Sequence, residues 1–185
     1  MKTNSMAFSV RDMVFTALFA AILCAVAPFS LYVGPIPFSF ATFIIYLAAA
    51  TLGWKRGSIA VALYVLLGAV GLPVFSGFRG GFHVIAGATG GYIIGYIPMA
   101  LVTGVFAELF KKKVWLCAVG MVIGTILLYT LGTAWFMFQS GNPFAASLAL
   151  CVTPFLPGDA AKIVAACVIA PQLRAAIRRL RPQGV

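Results

Sequence analysis

Asp159 and Lys162 stand in the stretch Pro154-Phe155-Leu156-Pro157-Gly158-Asp159-Ala160-Ala161-Lys162, a carboxylate and an ammonium set into an otherwise apolar run. Pro157 and Gly158 suit a helix start, so Asp159 falls in a first turn, where the positive end of the helix dipole favours an acid. Lys162 shares its face one turn on and meets that dipole unfavourably, so it calls for an anion. One reading is an i, i+3 pair that neutralises itself inside the protein. The other is a ligand site, because ionisable groups within a membrane segment cost roughly 2.5–3.5 kcal/mol each on insertion scales and point by default to function. Acid–base or nucleophilic catalysis needs a base with an orienting partner. The whole chain holds three acids and one histidine, His83 in a glycine-rich loop, which is poor equipment for an enzyme.

Two further groups join the pair as candidates. Arg79 lies in the loop Pro73 to Ala88, among four glycines and Phe75, Phe78 and Phe82. The run Thr89-Gly90-Gly91-Tyr92 then opens a helix. Glycines there let a ligand approach the backbone, and free N–H groups make an anion-binding end. Gly91 and Gly95 equally form a G-x-x-x-G packing pair, so only Tyr92 is singled out among the aromatics Phe29, Tyr32, Phe78, Phe82, Tyr92, Trp135, Phe136 and Phe155.

The elements that must position these groups are membrane helices. Of 185 residues 63% are hydrophobic and 9% charged, which fits a polytopic membrane protein and one domain over 1–185. Cys24, Cys117, Cys151 and Cys167 stand singly and form no C-x-x-C pair. The few acids and single histidine leave too few ligands for zinc, and without a G-x-x-x-x-G-K-[ST] loop the chain cannot drive transport by ATP hydrolysis on its own. No metal or cofactor is expected.

Apolar runs place the segments. The first extends from Met13 to Val33 and ends at Gly34-Pro35-Ile36-Pro37; with no small-residue cleavage pattern it reads as a retained helix, not a secretory signal. Ala17, Ala21 and Ala25 recur along one of its faces, a strip that serves packing or close approach by another helix. Segment two runs from about Phe38 to Gly53, stopping at Trp54-Lys55-Arg56, and segment three from Gly57 to about Leu72. Both are short for a span. Segment four runs to Phe110 and is closed by Lys111-Lys112-Lys113. Segment five covers about Trp115 to Phe138. Ala145 to Thr153 is too short to cross, and the last helix runs from Asp159 to about Leu173. An interrupted helix at membrane depth is tolerated where it lines a cavity.

With six crossings, eleven of the thirteen basic residues fall on one side. By the positive-inside rule that side is the cytoplasm, and both termini lie there. The net charge of +10 is thus a topology signal, since the basic residues punctuate apolar segments instead of forming a nucleic-acid face. Arg79, Lys162 and Asp159 remain in the outer half, formally +1, which a monoanion with an apolar body and a small hydrogen-bonding head would balance.

Gly-Ala-Thr-Gly-Gly-Tyr at 87–92, the Phe78-Arg79-Gly80-Gly81 loop, and Pro-Phe-Leu-Pro-Gly-Asp-x-x-Lys at 154–162 together resemble the BioY family, the biotin-specific S components of energy-coupling factor transporters. Ala88 stands where that family more often has proline. The resemblance covers the whole chain and implies an all-α, six-helix protein of the bacterial plasma membrane that captures biotin from outside. It also implies a transmembrane coupling subunit and two cytoplasmic ATPases as partners. Carried over, Asp159 would accept hydrogen bonds around the ureido head, Lys162 and Arg79 would supply cations, and Gly91 and Tyr92 would give backbone and ring contacts. Ala17 and Ala21 would dock the coupling subunit, and the loop of residues 73–88 would act as a lid, with Phe78 and Phe82 over the pocket. An S component for another vitamin and a structural membrane subunit are the competing readings.

Overall fold

The computed structural model describes residues 9–32, 36–110 and 113–179. Lys2, Lys111, Lys112 and Arg181 of the charge argument, and the Gly34-Pro35 turn, lie outside the described residues. Helices dominate: α1 (Val10–Val26), α2 (Ala41–Leu52), α3 (Trp54–Val70), α4 (Phe82–Ala86), α5 (Gly90–Leu109), α6 (Val114–Ser140), α7 (Phe144–Cys151) and α8 (Leu156–Arg179). Three of them, α5, α6 and α8, are long and apolar enough to cross a membrane. Their outer faces carry exposed Ile94, Ile126, Val164 and Val168, a surface suited to hydrocarbon.

The first apolar run is not one helix. It ends at Val26, with Pro28 just beyond the cap, and the chain then forms an antiparallel hairpin of β1 (Ser30–Tyr32) and β2 (Pro37–Ser39), pairing Leu31 with Phe38. Proline one or two residues past a C-cap cannot continue a helix. Ser39 fixes the hairpin to both neighbours: its Oγ donates to Ala27 O at 3.1 Å and accepts from Ala41 N at 3.0 Å.

The connection between α2 and α3 is also tighter than the charged Trp54-Lys55-Arg56 stop suggests. Gly53 alone makes it, at φ 86°, and α3 starts on Trp54. Only glycine adopts that backbone without strain. One turn on, Gly57 lies against the α2 backbone; a Cβ there would sit 2.7 Å from Ala49 Cα. Lys55 lies over the Trp54 ring, 5.1 Å from its centroid, an interfacial cation–π contact.

α5 packs against α6, α3 and α2, while α8 lies against α2 and α6. The two poles of this bundle differ. Arg11 and Asp12 of α1, Arg56 of α3, Glu108 of α5, and Arg174 and Arg178 of α8 surround one cavity at the pole where α1 begins and α8 ends. Asp12 pairs with Arg56 at 2.5 Å, and Arg174 donates to Ala50 O near the end of α2. The opposite pole carries the hairpin, the start of α8 and Arg79.

Because Gly57 meets backbone and not a flexible side chain, it has no room to give. Gly57→Val is expected to lower the thermal unfolding temperature of the detergent-solubilised protein, at an overpacking cost of about 1–3 kcal/mol; an unchanged temperature would show that α2 and α3 separate freely.

Candidate binding site

The four distinctive residues of the late motif make one face. Phe155, Gly158, Asp159 and Lys162 follow an i, i+3, i+4, i+7 spacing that a helix stacks in line. Phe155 stacks on Phe38 of β2, with centroids 5.9 Å apart and planes at 14°. Gly158 leaves space for the same ring, since a Cβ there would meet Phe38 Cζ at 2.5 Å. Lys162 Nζ sits 3.7 Å from the Phe38 ring centroid. The motif is thus a cradle for one aromatic ring of the hairpin.

Asp159 and Lys162 are both buried, and they pair at 2.9 Å. The ammonium also donates to Ser39 O at 2.7 Å and to Thr42 Oγ1 at 3.0 Å, which uses its three donors. Asp159 Oδ2 accepts from Tyr129 Oη at 2.5 Å, and Oδ1 takes a longer contact of 3.5 Å from Thr42 Oγ1. α2, α6 and α8 and the hairpin therefore meet at one ion pair. One turn deeper, Tyr46 and Thr125 join the same two helices, α2 and α6, at 2.5 Å.

This pair is neutral as it stands, so it does not call for an outside acid to complete its charge. It nevertheless lines a cavity that encloses about 640 Å³ of non-atom space, part of it open to the outside. Arg79 lines the same cavity, is exposed, and donates through Nε to Ser76 O at 3.2 Å.

Tyr92 also lines the cavity. Its hydroxyl is held by Thr133 at 3.1 Å and donates to Cys151 O at 3.4 Å, and its ring lies against Gly132, where a Cβ would collide with it. Gly91 does not line the cavity. It faces α6, where an added Cβ would meet Trp135 and Leu131 O, and Gly95 one turn on faces Leu128. Of the two readings of these glycines, close helix packing is the one the geometry has. The structure thus brings Asp159, Lys162, Arg79 and Tyr92 around one space and leaves Gly91 outside it.

The loop before α5 also differs from the expected lid. Phe78 and Phe82 are exposed and absent from the cavity wall; Phe75 provides the aromatic surface instead, buried edge-on against Tyr64 at 5.6 Å. Phe78 has φ 56° and packs on Phe29 at 5.3 Å, turned away from the cavity. Gly77 N donates to Pro28 O, Trp135 Nε1 to Gly87 O at 2.8 Å, and Gln139 to Ala86 O, so the turn after α1 and helix α6 hold the loop from both sides. Tyr64, Tyr96, Tyr129, Phe38 and Phe75, none singled out from the sequence, complete the wall. They come from the hairpin, α3, the loop, α5 and α6, and no local spacing relates them.

Ala17 and Ala21 lie elsewhere, on the exposed face of α1 with Ala25, in a strip flanked by exposed Leu18 and Ile22. The inward face of that helix is Thr16, Phe19, Ala20 and Leu23.

With this geometry in hand, comparison with known proteins gives consistent matches. The model of the BioY family matches residues 1–179. A "Biotin transporter BioY" from Thermotoga maritima is 39% identical over 165 residues, covering 89% of this chain and 96% of the relative. Another from Rhizobium etli is 36% identical over 172 residues, covering 87% and 91%. Among solved structures, the S-component for biotin from an ECF-type ABC transporter superposes with a TM-score of 0.72 at 26% identity, over 95% of this chain and 93% of that one. The chain belongs to the BioY family.

Proposed function

We propose that this chain is the biotin-capturing S component of an ECF-type vitamin transporter. The observation that carries the reading is a single cavity, at the pole opposite the arginine cluster, lined by a buried Asp159–Lys162 pair, tyrosine and phenylalanine rings, and Arg79. Biotin has matching parts: a ureido head that donates and accepts, an apolar bicycle, and a carboxylate on a flexible tail. A carboxylate offers about four acceptor sites, and Lys162, Thr42 and Tyr129 occupy three on Asp159, leaving one for a ureido N–H. Lys162, already saturated, holds Asp159 ionised and in place. Arg79 takes the tail carboxylate, for which a guanidinium fork is well suited.

Capture is only the first step of uptake. The long helices α1, α2, α3, α5, α6 and α8 make six crossings of the bacterial plasma membrane, with both termini on the cytoplasmic side beside the arginines. The three shorter ones rely on their neighbours to match the hydrocarbon thickness. Translocation requires a transmembrane coupling subunit and two cytoplasmic ATPases, and the exposed Ala17 and Ala21 strip is where the coupling subunit docks. Small side chains let backbones approach closely in lipid, where packing drives helix association. The chain itself performs no covalent chemistry.

Three outcomes test this. Removing one member of a buried pair costs about 3–5 kcal/mol, whereas replacing both is often nearly neutral. Lys162→Ala is therefore expected to lower the unfolding temperature strongly, and Asp159→Asn/Lys162→Met to recover most of that loss while tritiated-biotin retention stays abolished. Full retention in the folded double variant would make the pair purely structural. For Arg79, calorimetry should show Arg79→Gln weakening biotin by about tenfold or more, the scale of one charge-assisted hydrogen bond, with biotin methyl ester unaffected. Equal weakening of acid and ester would move the carboxylate elsewhere. Finally, a green fluorescent protein fused after Val185 should fluoresce in cells and an alkaline phosphatase fusion stay inactive; the reverse pattern would invert the orientation.

A further inference from the structure

The second cavity, at the arginine pole, shares no lining residue with the candidate biotin site. It encloses about 810 Å³ of non-atom space, part of it open, and Arg11, Arg56, Arg174 and Arg178 converge on it from three helices. Two carboxylates, Asp12 and Glu108, share the space, leaving an excess of two positive charges. A positive-inside bias alone sets cations out in water, where they need no partner. Here Arg11, Arg56 and Arg174 are only partly exposed and face a common recess. Clustered cations removed from water require compensating anions.

The internal partners do not meet that demand. Asp12 is committed to Arg56 at 2.5 Å, and Arg174 reaches a neutral carbonyl, Ala50 O. Arg11 and Arg178 make no hydrogen bond or ion pair among the described residues. Thr51 Oγ1, on the same wall, is buried and has no hydrogen-bond partner among the described residues. Guanidiniums and a hydroxyl arranged around a concave space recognise a tetrahedral oxyanion, and arginine matches phosphate by paired N–H donors. Phe15 and Ile177 make another part of the wall apolar, as the start of an acyl chain would require. Basic pockets between membrane helices on the cytoplasmic side are a known setting for acidic headgroups.

We propose that this recess is a binding site for a phosphate group, borne by an anionic phospholipid of the adjacent leaflet or by a soluble phosphate compound. Native mass spectrometry of the full chain, released from nanodiscs mixing phosphatidylglycerol and phosphatidylcholine, tests the lipid source. A separate arm measures thermal stabilisation in detergent by inorganic phosphate against chloride at matched ionic strength. Selective retention of phosphatidylglycerol assigns the site to lipid, and stabilisation by phosphate without lipid selectivity assigns it to a soluble anion. In either case Arg11→Gln/Arg178→Gln should reduce the effect by about thirtyfold, the scale expected for two cations at the membrane surface potential. Arg179→Gln, whose side chain is exposed outside the recess, should leave it unchanged. Biotin retention by the double variant serves as the fold control. Absence of both effects in the wild type, or an undiminished effect in the folded double variant, overturns the proposal.

Discussion

The bond between Asp159 and Lys162 is the point on which the outer half of this protein converges. Neither charge is tolerable alone in an apolar bundle, and each brings the other only part of what it needs. Tyr129 of α6, Thr42 of α2 and the Ser39 carbonyl of the hairpin supply the remainder. A sidewise displacement of any of these elements would leave a buried donor or acceptor bare, so their mutual positions follow from satisfying one pair. The hairpin gains its place by the same route, because Phe38 is held between Phe155, Gly158 and the lysine ammonium.

That internal completeness changes the electrostatic logic of the cavity. A saturated ion pair can orient a polar head without drawing in a net charge, whereas Arg79 at the exposed side can attract one. On the proposed reading, the two tasks of a small acid's receptor, reading the head and neutralising the tail, are divided between a rigid buried group and an exposed loop residue. At the other pole the balance is reversed, with guanidiniums outnumbering carboxylates around a recess. The bundle therefore has a nearly neutral lined pocket at one end and a cationic one at the other.

Much of this was legible beforehand, and the exceptions have physical reasons. Apolar run length located α2, α3, α5, α6 and α7 to within a few residues, and Asp12, Glu108, Arg11, Arg56, Arg174 and Arg178 lie at one pole as their spacing implied. α4 fell in a stretch too rich in glycine to show, and α8 continues to Arg179 because its basic last turn suits the helix C-terminus. The apolar character of the stretch 29–39 suits helix over part of its length, yet Pro28 stops the helix and the hairpin is too short to show alternation. Gly91 was ambiguous because glycine serves a ligand and a packed helix equally well, and only the position of Trp135 decides. Tyr64, Tyr96 and Tyr129 had no sequence signature at all, since a wall assembled from several helices leaves no local period. Phe78 and Phe82 looked like pocket residues by composition, but a left-handed Phe78 turns the loop's aromatic tip towards Phe29.

Lys162 and Arg174 grip α2 at its two extremities, through Ser39 O just before it and Ala50 O near its end. The separations are similar: twelve residues along α8, about 18 Å at helical rise, and eleven between the two acceptors, most of them in α2. Two fasteners at matched intervals forbid axial sliding, as a pair of rivets does for two parallel bars. Whatever rearrangement accompanies substrate release must then carry α2 and α8 together as one strut, and the give must come from the seams this strut shares with the rest of the bundle.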